Sequence, residues 1–367
     1  PSLPAGAGRL SRIIRTFAGG EFDGMAEERV RRPMIVAGPC SVESREQTLA
    51  TCRGLAACGC VDMIRGGVWK PRTYPSCFQG IGEIGLRWLV EAKEQTGLPF
   101  GVEVANGRHV EASLDAGADM VWIGARTTGN PFSVQEVADA LRGTHALVLV
   151  KNGQMPDTAL WTGAVERLSA AGIPPERLVL VHRGFSQASG GGYRNPPVWH
   201  VALEMRRRFP ELKMLCDPSH ICGCREGLAA TAQKAADLSY DGLFMESHIR
   251  PDEALSDAGQ QITPQRLGEL LAGLRWRRET VDVPQFEADM ERLRLEIDQI
   301  DAQLFSLLSR RMGIAENIGR IKRENDVTIL QRRRWDEIVE HIVGRAGELG
   351  LSPEFIRTIL DAVHMES

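Results

Sequence analysis

The sequence predicts a (β/α)8 barrel followed by a smaller all-helical domain, and two periodic patterns carry this prediction. From Pro33 onward, short apolar runs rich in β-branched residues recur at 34–38, 61–65, 100–104, 120–124, 146–150, 178–182, 212–216 and 242–246. The segments between them have apolar residues three and four apart, as in amphipathic helices; they lie at 83–96, 131–142, 157–171, 197–208 and 225–238. Strands and helices that alternate in this way are typical of a (β/α)8 barrel of about 250 residues. The barrel is predicted to occupy 33–278.

The alternative α/β architecture is a doubly wound open sheet. That fold would place a glycine-rich dinucleotide-binding loop after the first strand. Gly-Pro-Cys-Ser stands there, at 38–41, and it is not such a loop. The barrel is therefore the preferred fold, and residues 1–32 are predicted to be an N-terminal extension.

The overall composition argues against nucleic-acid and membrane partners. The 367 residues carry a formal net charge of -4 and are 43% hydrophobic, which is enough for a large core and gives no general attraction for nucleic acid. No apolar run approaches the ~20 residues of a membrane span, and the polar N-terminus does not look like a signal peptide. Eight cysteines without a Cys-x-x-Cys pair suit a reducing compartment. We therefore expect a soluble cytoplasmic protein; its first residue, Pro1, indicates a processed, trimmed or engineered start.

Each predicted strand is followed by a residue that can bind an anion or a metal ion. In a barrel these strand ends meet on one face, where the active sites of such enzymes lie. Random surface polarity would not mark every strand end, so this face is predicted to be a functional site. The residues are Cys40 and Ser41, Arg65, Glu103, Arg126, Lys151, His182 and Arg183, Asp217 to His220, and Glu246 to His248.

Six cations lie on or near these strand ends. The stretch Val61–Thr73 is the richest in them, because it leaves an apolar strand through two glycines and then presents Lys70, Arg72 and the hydroxyl of Thr73. Phosphate and carboxylate oxygens need such donors, and arginine can bind them with two parallel hydrogen bonds. Six converging positive charges would repel one another unless ligands with several negative charges neutralised them. The six are Arg65, Lys70, Arg72, Arg126, Lys151 and Arg183.

A second set at the same face combines sulfur, nitrogen and oxygen donors on separate loops. It consists of Cys40, His220, Glu246 and Asp257. This mixture suits a borderline divalent ion such as Mn, Fe, Co or Zn better than Ca or Mg. Because a lone buried cysteine is usually just a small hydrophobic residue, the prediction of a metal site depends on the convergence of all four.

Eight short motifs follow one another along the predicted barrel. They are Ala-Gly-Pro-Cys-Ser (37–41), Lys-Pro-Arg-Thr (70–73), Ile-Gly-Ala-Arg-Thr-Thr (123–128), Lys-Asn-Gly (151–153), His-Arg-Gly-Phe (182–185), Cys-Asp-Pro-Ser-His (216–220), Glu-Ser-His (246–248) and Ser-Asp-Ala-Gly-Gln-Gln (256–261). In this order they resemble 3-deoxy-D-arabino-heptulosonate 7-phosphate (DAHP) synthase, in the shorter bacterial branch of its first class. The resemblance covers roughly 33–270.

The resemblance implies condensation of phosphoenolpyruvate with erythrose 4-phosphate and release of phosphate, the entry step of the shikimate pathway. By the family pattern, the metal ligands are Cys40, His220, Glu246 and Asp257, and Mn is the first choice of metal. As a Lewis acid the ion would polarise the aldehyde for attack by the enol carbon. Water would then add at C2, and phosphate would leave by C–O cleavage.

The same resemblance assigns the six cations to substrate groups. Arg126 and Arg183 would hold the phosphate of phosphoenolpyruvate, and Arg65, Lys70 and Lys151 would face its carboxylate. Arg72 and Thr73 would bind erythrose 4-phosphate. Lys70 is the candidate proton donor, on the expectation that neighbouring cations lower its pKa.

The competing assignment for the barrel is the sister enzyme that makes 3-deoxy-octulosonate 8-phosphate from arabinose 5-phosphate. Where this chain has Lys-Pro-Arg-Thr (70–73), that family has a motif similar to Lys-Ala-Asn-Arg-Ser. The motif therefore favours the four-carbon sugar.

After a predicted linker at 279–285 the pattern changes to helices alone, from 286 to 367. Asp289 is a candidate N-cap for one helix that runs to about Asn325, with two shorter helices near 331–346 and 353–366, the last capped by Ser352 and Pro353. At 1.5 Å per residue the long helix would span ~60 Å, so it must pack against another chain or domain. Its apolar stripe is Leu293, Ile297, Ile300, Leu304, Leu307, Leu308, Met312, Ile314, Ile318 and Ile321.

One very long helix and two short ones resemble the all-helical chorismate mutase family, an interlocked dimer. Arg294, Arg311 and Lys322 lie where that family has the cations that bind the two carboxylates of chorismate. Arg311 and Lys322 fall about 20° apart around a helix axis, whereas Arg294 lies about 100° from Arg311. The first two can share a pocket, and Arg294 would then serve the partner chain's site. We therefore expect a homodimer through the helical domain, or a higher homo-oligomer.

The chain also departs from the mutase pattern. Where the family often has Asp and then Arg-Glu, this chain has Ile329 and then Gln331, Arg332 and Arg334 among other residues. These three polar residues are candidates for the pocket, as is Ser367. The alternative for 286–367 is a regulatory and dimerising module that senses chorismate or prephenate without converting it.

Overall fold

The computed structural model describes residues 33–186, 192–277, 284–328 and 332–367, except for the side chains at 284 and 332–334. The chain divides into two compact units, Pro1–Glu279 and Thr280–Ser367. The predicted N-terminal extension at 1–32 lies outside the described residues.

Eight parallel strands close the first unit into a barrel, in which each strand pairs with its neighbours in chain order and the last pairs with the first. They are β1 (Met34–Gly38), β2 (Met63–Arg65), β3 (Phe100–Val104), β4 (Met120–Ile123), β5 (Leu147–Lys151), β6 (Leu178–His182), β7 (Lys213–Cys216) and β8 (Gly242–Glu246). The predicted fold class is confirmed, and the predicted strands agree with the observed ones within two residues at each end.

Helices follow the strands and cover the outside of the barrel. They are α1 (Arg45–Ala57), α2 (Ile84–Thr96), α3 (Gly107–Asp115), α4 (Ala125–Thr128), α5 (Pro131–Ala140), α6 (Thr158–Ala170), α7 (Trp199–Arg208), α8 (Pro218–Cys222), α9 (Leu228–Asp237) and α10 (Pro264–Gly273). Several of these helices have a polar N-cap residue whose side chain accepts a backbone N–H of the first turn, as Ser44, Asn106 and Asp157 do. The last of them, α10, ends at Gly273, because the backbone becomes extended at Leu274, where Leu274 and Trp276 pack against the core.

Successive side chains of a strand point to opposite faces of the sheet, and this alternation divides the core into two layers. Met34 and Val36 of β1 lie in the cluster that fills the barrel, whereas Ile35 and Ala37 lie in the cluster between strands and helices. The inner cluster is Met34, Val36, Met63, Met120, Trp122, Leu147, Leu149, Val179, Val181, Leu215 and Phe244. This packed floor supports the strand ends above it.

The second unit consists of α11 (Pro284–Glu324), α12 (Arg332–Gly344), α13 (Ala346–Leu349) and α14 (Pro353–Glu366). The prediction of Asp289 as N-cap is wrong, because α11 begins at Pro284, whose fixed φ and missing N–H suit a first turn. The predicted linker 279–285 therefore overlaps this helix. Ser352 caps α14 as predicted, with its Oγ accepting from Phe355 N at 3.2 Å. Among the described residues no helix is both long and apolar enough to cross a bilayer.

Candidate active site

The ends of β1 and β8 and the loop after β8 bring three of the four predicted metal ligands together. One ligand atom from each of Cys40, Glu246 and Asp257 lies within 4.8 Å of the others. Cys40 Sγ is 3.3 Å from Asp257 Oδ2. His220, from the short helix α8, stands beside this group, with Nε2 3.7 Å from Glu246 Oε1.

Each of these side chains is oriented by a neighbouring polar group. Gln261 accepts the backbone N–H of Cys40 at 3.0 Å, and Gln260 Nε2 donates to Glu246 Oε2 at 2.6 Å. The Nδ1 atom of His220 lies 2.8 Å from Asp217 Oδ2, the carboxylate–histidine arrangement common behind metal-binding histidines. The strand ends thus hold a sulfur, a nitrogen and two carboxylates in prepared orientations.

The charges of this group fit a divalent cation. Burial lowers the pKa of His220, which keeps its imidazole neutral, as a metal ligand must be. Burial opposes ionisation of Asp257, but the positive charges of Arg194 and Lys70, and that of His220 when it is protonated, hold its pKa well below the usual range. Glu246 Oε1 is fully buried; within the described part of the chain it accepts no hydrogen bond of regular geometry, and Arg65 Nη1 lies 3.2 Å away as its ion-pair partner. Burial raises the pKa of the Cys40 thiol to about 12, and a bound cation would lower it again.

Three of the six predicted cations, Arg65, Lys151 and Arg72, are already paired with acids inside the site. Arg65 is 1% exposed and lies 3.2 Å from Glu246, between the rings of Trp122 and Phe244. Lys151 Nζ lies 2.7 Å from Asp217 Oδ2. Carboxylates of the protein therefore offset part of the positive charge at this face.

Lys70 and Arg72 lie on the metal-ligand side of the site. Lys70 Nζ is 3.1 Å from Cys40 Sγ, and Arg72 Nη1 is 3.8 Å from Asp257 Oδ2. Thr73, the next residue, is exposed. Gly67 allows the loop that carries Lys70 to pass close to Cys40, because a Cβ at position 67 would lie only 2.4 Å from Cys40 O.

The expectation of a lowered pKa for Lys70 is wrong. Burial does lower it, but the nearby acidic groups of Cys40, Glu103 and Glu246 outweigh burial and the repulsion from Arg65, so the pKa is raised. Lys70 is therefore a fully protonated ammonium at neutral pH.

Arg126 and Arg183 follow the ends of β4 and β6. Arg126 is exposed on α4, directly after β4. Arg183 is buried and donates to Asn195 Oδ1 at 3.0 Å. Burial, together with the nearby charges of Arg194 and Arg126, lowers the pKa of Arg183 to about 10. Two cations that repel each other in this way are prepared for a shared anion.

One predicted strand-end residue does not face the site. His182 is fully buried in the barrel wall, where Nδ1 lies 2.8 Å from the Tyr240 hydroxyl and Nε2 lies 2.6 Å from Pro197 O. It is a structural residue and not a ligand.

The burial of His182 predicts a pH-dependent loss of stability. Burial lowers its pKa to about 4, whereas the unfolded chain binds this proton near pH 6.5. The stability that neutral His182 provides is therefore present above about pH 6.5 and lost as pH falls towards 4, by up to about 1.4 kcal/mol per pH unit. Unfolding midpoints measured between pH 7 and 4 should fall more steeply in the wild type than in His182→Gln. Parallel slopes would contradict this assignment.

The site also contains residues that the strand-end rule did not select. Arg194 donates to Asp257 Oδ1 at 2.8 Å, and Asn195 donates to His220 O at 2.7 Å. Both precede α7 in an irregular stretch that carries no periodic signal. Only the Arg-Asn pair in an otherwise Gly- and Pro-rich loop could have suggested them.

In the helical unit, two predicted mutase residues meet. Arg311 Nη1 donates to Ser367 Oγ, so the middle of α11 and the end of α14 come together. Arg311 and Lys322 are half-buried on α11, and Arg294 is exposed on the same helix. Gln331 and the side chains of Arg332 and Arg334 lie outside the described residues.

A closed barrel with a buried Cys/His/carboxylate group and several cations at the strand ends defines a class: metal-assisted barrel enzymes that act on small polyanions. Comparison with known families gives the particular member. Residues 25–281 match the DAHP synthetase I family, and residues 293–367 match chorismate mutase type II. The chain belongs to the DAHP synthetase I family and carries a chorismate mutase domain at its C-terminal end. It is a metal-dependent DAHP synthase and a chorismate mutase.

Individual relatives include both the heptonate enzyme of this assignment and the octonate enzyme that is its sister. Phospho-2-dehydro-3-deoxyheptonate aldolase of Thermotoga maritima is 32% identical over 241 residues, which are 66% of this chain and 68% of that protein. The crystal structure of that aldolase (DAHP synthase) has a TM-score of 0.59 and 29% identity, covering 68% of this chain and 71% of the other. A 2-dehydro-3-deoxyphosphooctonate aldolase of Nitratidesulfovibrio vulgaris is 28% identical over 269 residues, 69% of this chain and 94% of that protein.

Proposed function

We propose that the residues gathered at the strand ends divide the work of DAHP synthesis between a phosphate side and a metal side. The supporting observation is that Cys40, Glu246 and Asp257 lie together, with Lys70 and Arg72 against them. Phosphoenolpyruvate and erythrose 4-phosphate bring two phosphates and one carboxylate, which match the excess of cations.

Phosphoenolpyruvate binds with its phosphate on Arg126 and Arg183. Its carboxylate faces Arg65, Lys70 and Lys151. Because Arg65 and Lys151 are already paired with Glu246 and Asp217, they are held rigidly and need little reorganisation when the substrate enters. Such preorganisation makes charged groups effective in a site that excludes water.

Erythrose 4-phosphate binds with its phosphate on Arg72 and Thr73, which places its aldehyde near the metal ligands. Cys40, His220, Glu246 and Asp257 hold a divalent ion, for which Mn²⁺ is our choice among Mn, Fe, Co and Zn. When bound, the ion supplies Lewis-acid polarisation of the aldehyde carbonyl.

The reaction joins C3 of phosphoenolpyruvate to C1 of the aldehyde. Lys70 donates a proton to the oxygen that becomes a hydroxyl, a role supported by its position beside Cys40 and by its ammonium form at neutral pH, while its raised pKa makes it a weaker acid than an ordinary lysine. One water adds at C2, the C–O bond to phosphate breaks, and inorganic phosphate leaves. Arg126 and Arg183 stabilise the departing phosphate.

In the helical unit, Arg311 and Lys322 bind the carboxylates of chorismate, and Arg294 completes the site of a second chain. Ser367, Gln331, Arg332 and Arg334 are the candidates for the remaining polar contacts to chorismate. The rearrangement of chorismate to prephenate needs only that the protein hold chorismate in a compact conformer and stabilise the charge on its ether oxygen. A homodimer would also cover the apolar stripe of α11, where Ile297, Ile300 and Ile314 are exposed in the single chain. Cytoplasmic localisation is proposed on the free state of all eight cysteines.

Substrate competition tests the choice between the two sugar phosphates. We expect phosphate release from phosphoenolpyruvate with erythrose 4-phosphate, at a kcat/KM at least ~100-fold above that with arabinose 5-phosphate. A preference for the five-carbon sugar would overturn the proposal.

Metal removal tests the proposed ligand group. A chelator is expected to abolish DAHP formation and to lower the unfolding temperature of the barrel, since a ligand bound only to the folded state stabilises it. Added Mn²⁺ should restore both. The chorismate reaction of the same chain is the internal control, because its chemistry uses no metal. Undiminished DAHP formation after exhaustive chelation would contradict the assignment.

A further inference from the structure

Arg194 lies where it can determine how Asp257 is presented to a metal ion. Its Nη1 donates to Asp257 Oδ1 at 2.8 Å and to Gln260 Oε1 at 2.9 Å. The other carboxylate oxygen, Oδ2, is the one that lies 3.3 Å from Cys40 Sγ. Arg72 Nη1 is also 3.8 Å from Oδ2. The two oxygens of Asp257 therefore face different partners, Arg194 on one side and Cys40 with Arg72 on the other.

Asp257 needs such a restraint because it is not part of a strand or a long helix. It lies in the loop after β8 with φ at 48°, in the left-handed region that residues with side chains adopt infrequently. A carboxylate on such a loop can rotate, and a metal ligand that rotates binds weakly. An arginine that is hydrogen-bonded to Oδ1 of Asp257 holds the carboxylate so that Oδ2 is directed at the other proposed metal ligands.

The backbone at Arg194 is itself held firmly. Arg194 N donates to Cys222 O at 3.1 Å, and Asn195 N donates to Ile221 O at 3.0 Å. Gly223, at φ 69°, lies directly beneath the arginine, since a Cβ there would be 2.4 Å from the Cβ of Arg194. This arginine is thus anchored to α8, the helix that carries His220.

Asn195 connects the same turn to the phosphate side. Its side chain is 4% exposed, accepts from Arg183 at 3.0 Å and donates to the carbonyl of His220 at 2.7 Å. Two adjacent residues therefore contact two of the proposed metal ligands and one phosphate-binding arginine.

We propose that Arg194 is a positioning residue for the metal site, which fixes Asp257 through Oδ1 so that Oδ2 points at the ion. The inference rests on the proposed function, because it needs Asp257 to be a ligand. Two effects of Arg194 oppose each other. Its charge repels a cation, while its hydrogen bond orients the ligand. Since outer partners of metal ligands typically contribute 10–100-fold to affinity, we expect orientation to dominate.

The test is Mn²⁺ affinity of the full chain, measured at equilibrium from the electron paramagnetic resonance signal of free Mn²⁺. Arg194→Met keeps the length of the side chain and removes its charge and hydrogen bonds. We expect a Kd about 10–100-fold weaker than in the wild type, with partial recovery in Arg194→Lys. The metal-free unfolding temperatures of both variants should stay close to that of the wild type, which shows that the barrel is folded.

Arg225 provides a matched control. It braces the same loop, with Nε donating to Gln261 O at 2.7 Å and Nη2 to Ala258 O at 3.0 Å, and it also pairs with Asp252. None of these contacts involves the carboxylate of Asp257. Arg225→Met should therefore bind Mn²⁺ as the wild type does.

Three results would overturn the proposal: unchanged affinity in Arg194→Met, tighter affinity there, or an equal loss in Arg225→Met. The second would mean that repulsion outweighs orientation, and the third that any loosening of the loop has this effect. Cys40→Ala separates these from a failure of the proposed function. If that variant binds Mn²⁺ as tightly as the wild type, the ligand group itself is wrongly assigned.

Discussion

Replacing Lys70 with methionine is expected to lower kcat for DAHP formation by about 10²–10⁴-fold, the usual contribution of a well-placed general acid. The ammonium lies 3.1 Å from Cys40 Sγ and 3.2 Å from Cys40 O, next to the proposed position of the aldehyde. Methionine preserves the bulk of the side chain but can supply neither a proton nor a positive charge. Steady-state kinetics with both substrates varied would separate this loss from weaker binding of phosphoenolpyruvate.

Lys93→Met is the matched control for this experiment. Lys93 is a lysine of the same barrel, but it lies on α2 and pairs with Asp119 at 2.7 Å, away from the metal ligands. Its loss should leave kcat within about 2-fold of the wild type, because its ammonium donates to Gly117 O and Asp119 and to none of the proposed metal or substrate ligands. If Lys70→Met raised only the KM values and kept kcat, Lys70 would be a binding residue and its role as proton donor would be disproved.

The barrel could be predicted because its signal is local and repeated. A strand such as β8 is an apolar run bounded by polar residues, and that pattern is independent of what the strand packs against. Helix ends were predicted less well, since they depend on tertiary contacts. Asp289 has a capping side chain, yet α11 already begins at Pro284. At Gly273, α10 ends before its apolar pattern does, because Leu274 and Trp276 pack better on the barrel in an extended chain.

In the candidate site, the sequence predicted which residues converge but not how their side chains pair. The carboxyl ends of barrel strands converge by topology, so residues such as Cys40 and Glu246 could be placed together from sequence order alone. Which charged side chains pair inside the site depends on their rotamers and on how deeply each is buried, and sequence order gives neither. The pairs Arg65–Glu246 and Lys151–Asp217, and with them the raised pKa of Lys70, therefore needed the structure.

For the helical unit, replacing Arg311 with alanine is expected to lower kcat/KM for chorismate by about 10²–10³-fold, in the range found when a charged hydrogen-bond partner is removed from a desolvated pair. Arg311 is half-buried on α11 and donates to Ser367 Oγ, so the guanidinium is held in one place by the end of α14. Chorismate disappearance, followed by absorbance in the full chain, measures the effect directly.

Arg310→Ala tests whether the effect belongs to one face of α11. The two arginines are adjacent, so both substitutions remove the same charge from the same helix, but they point about 100° apart, and Arg310 is exposed. Loss of turnover in Arg311→Ala alone would locate the mutase pocket on the Arg311 face. Equal losses in both would indicate a general electrostatic effect of the helix on the anionic substrate. Undiminished turnover in Arg311→Ala would remove this arginine from the pocket, and Lys322→Ala would then be the variant that decides which face of α11 binds chorismate.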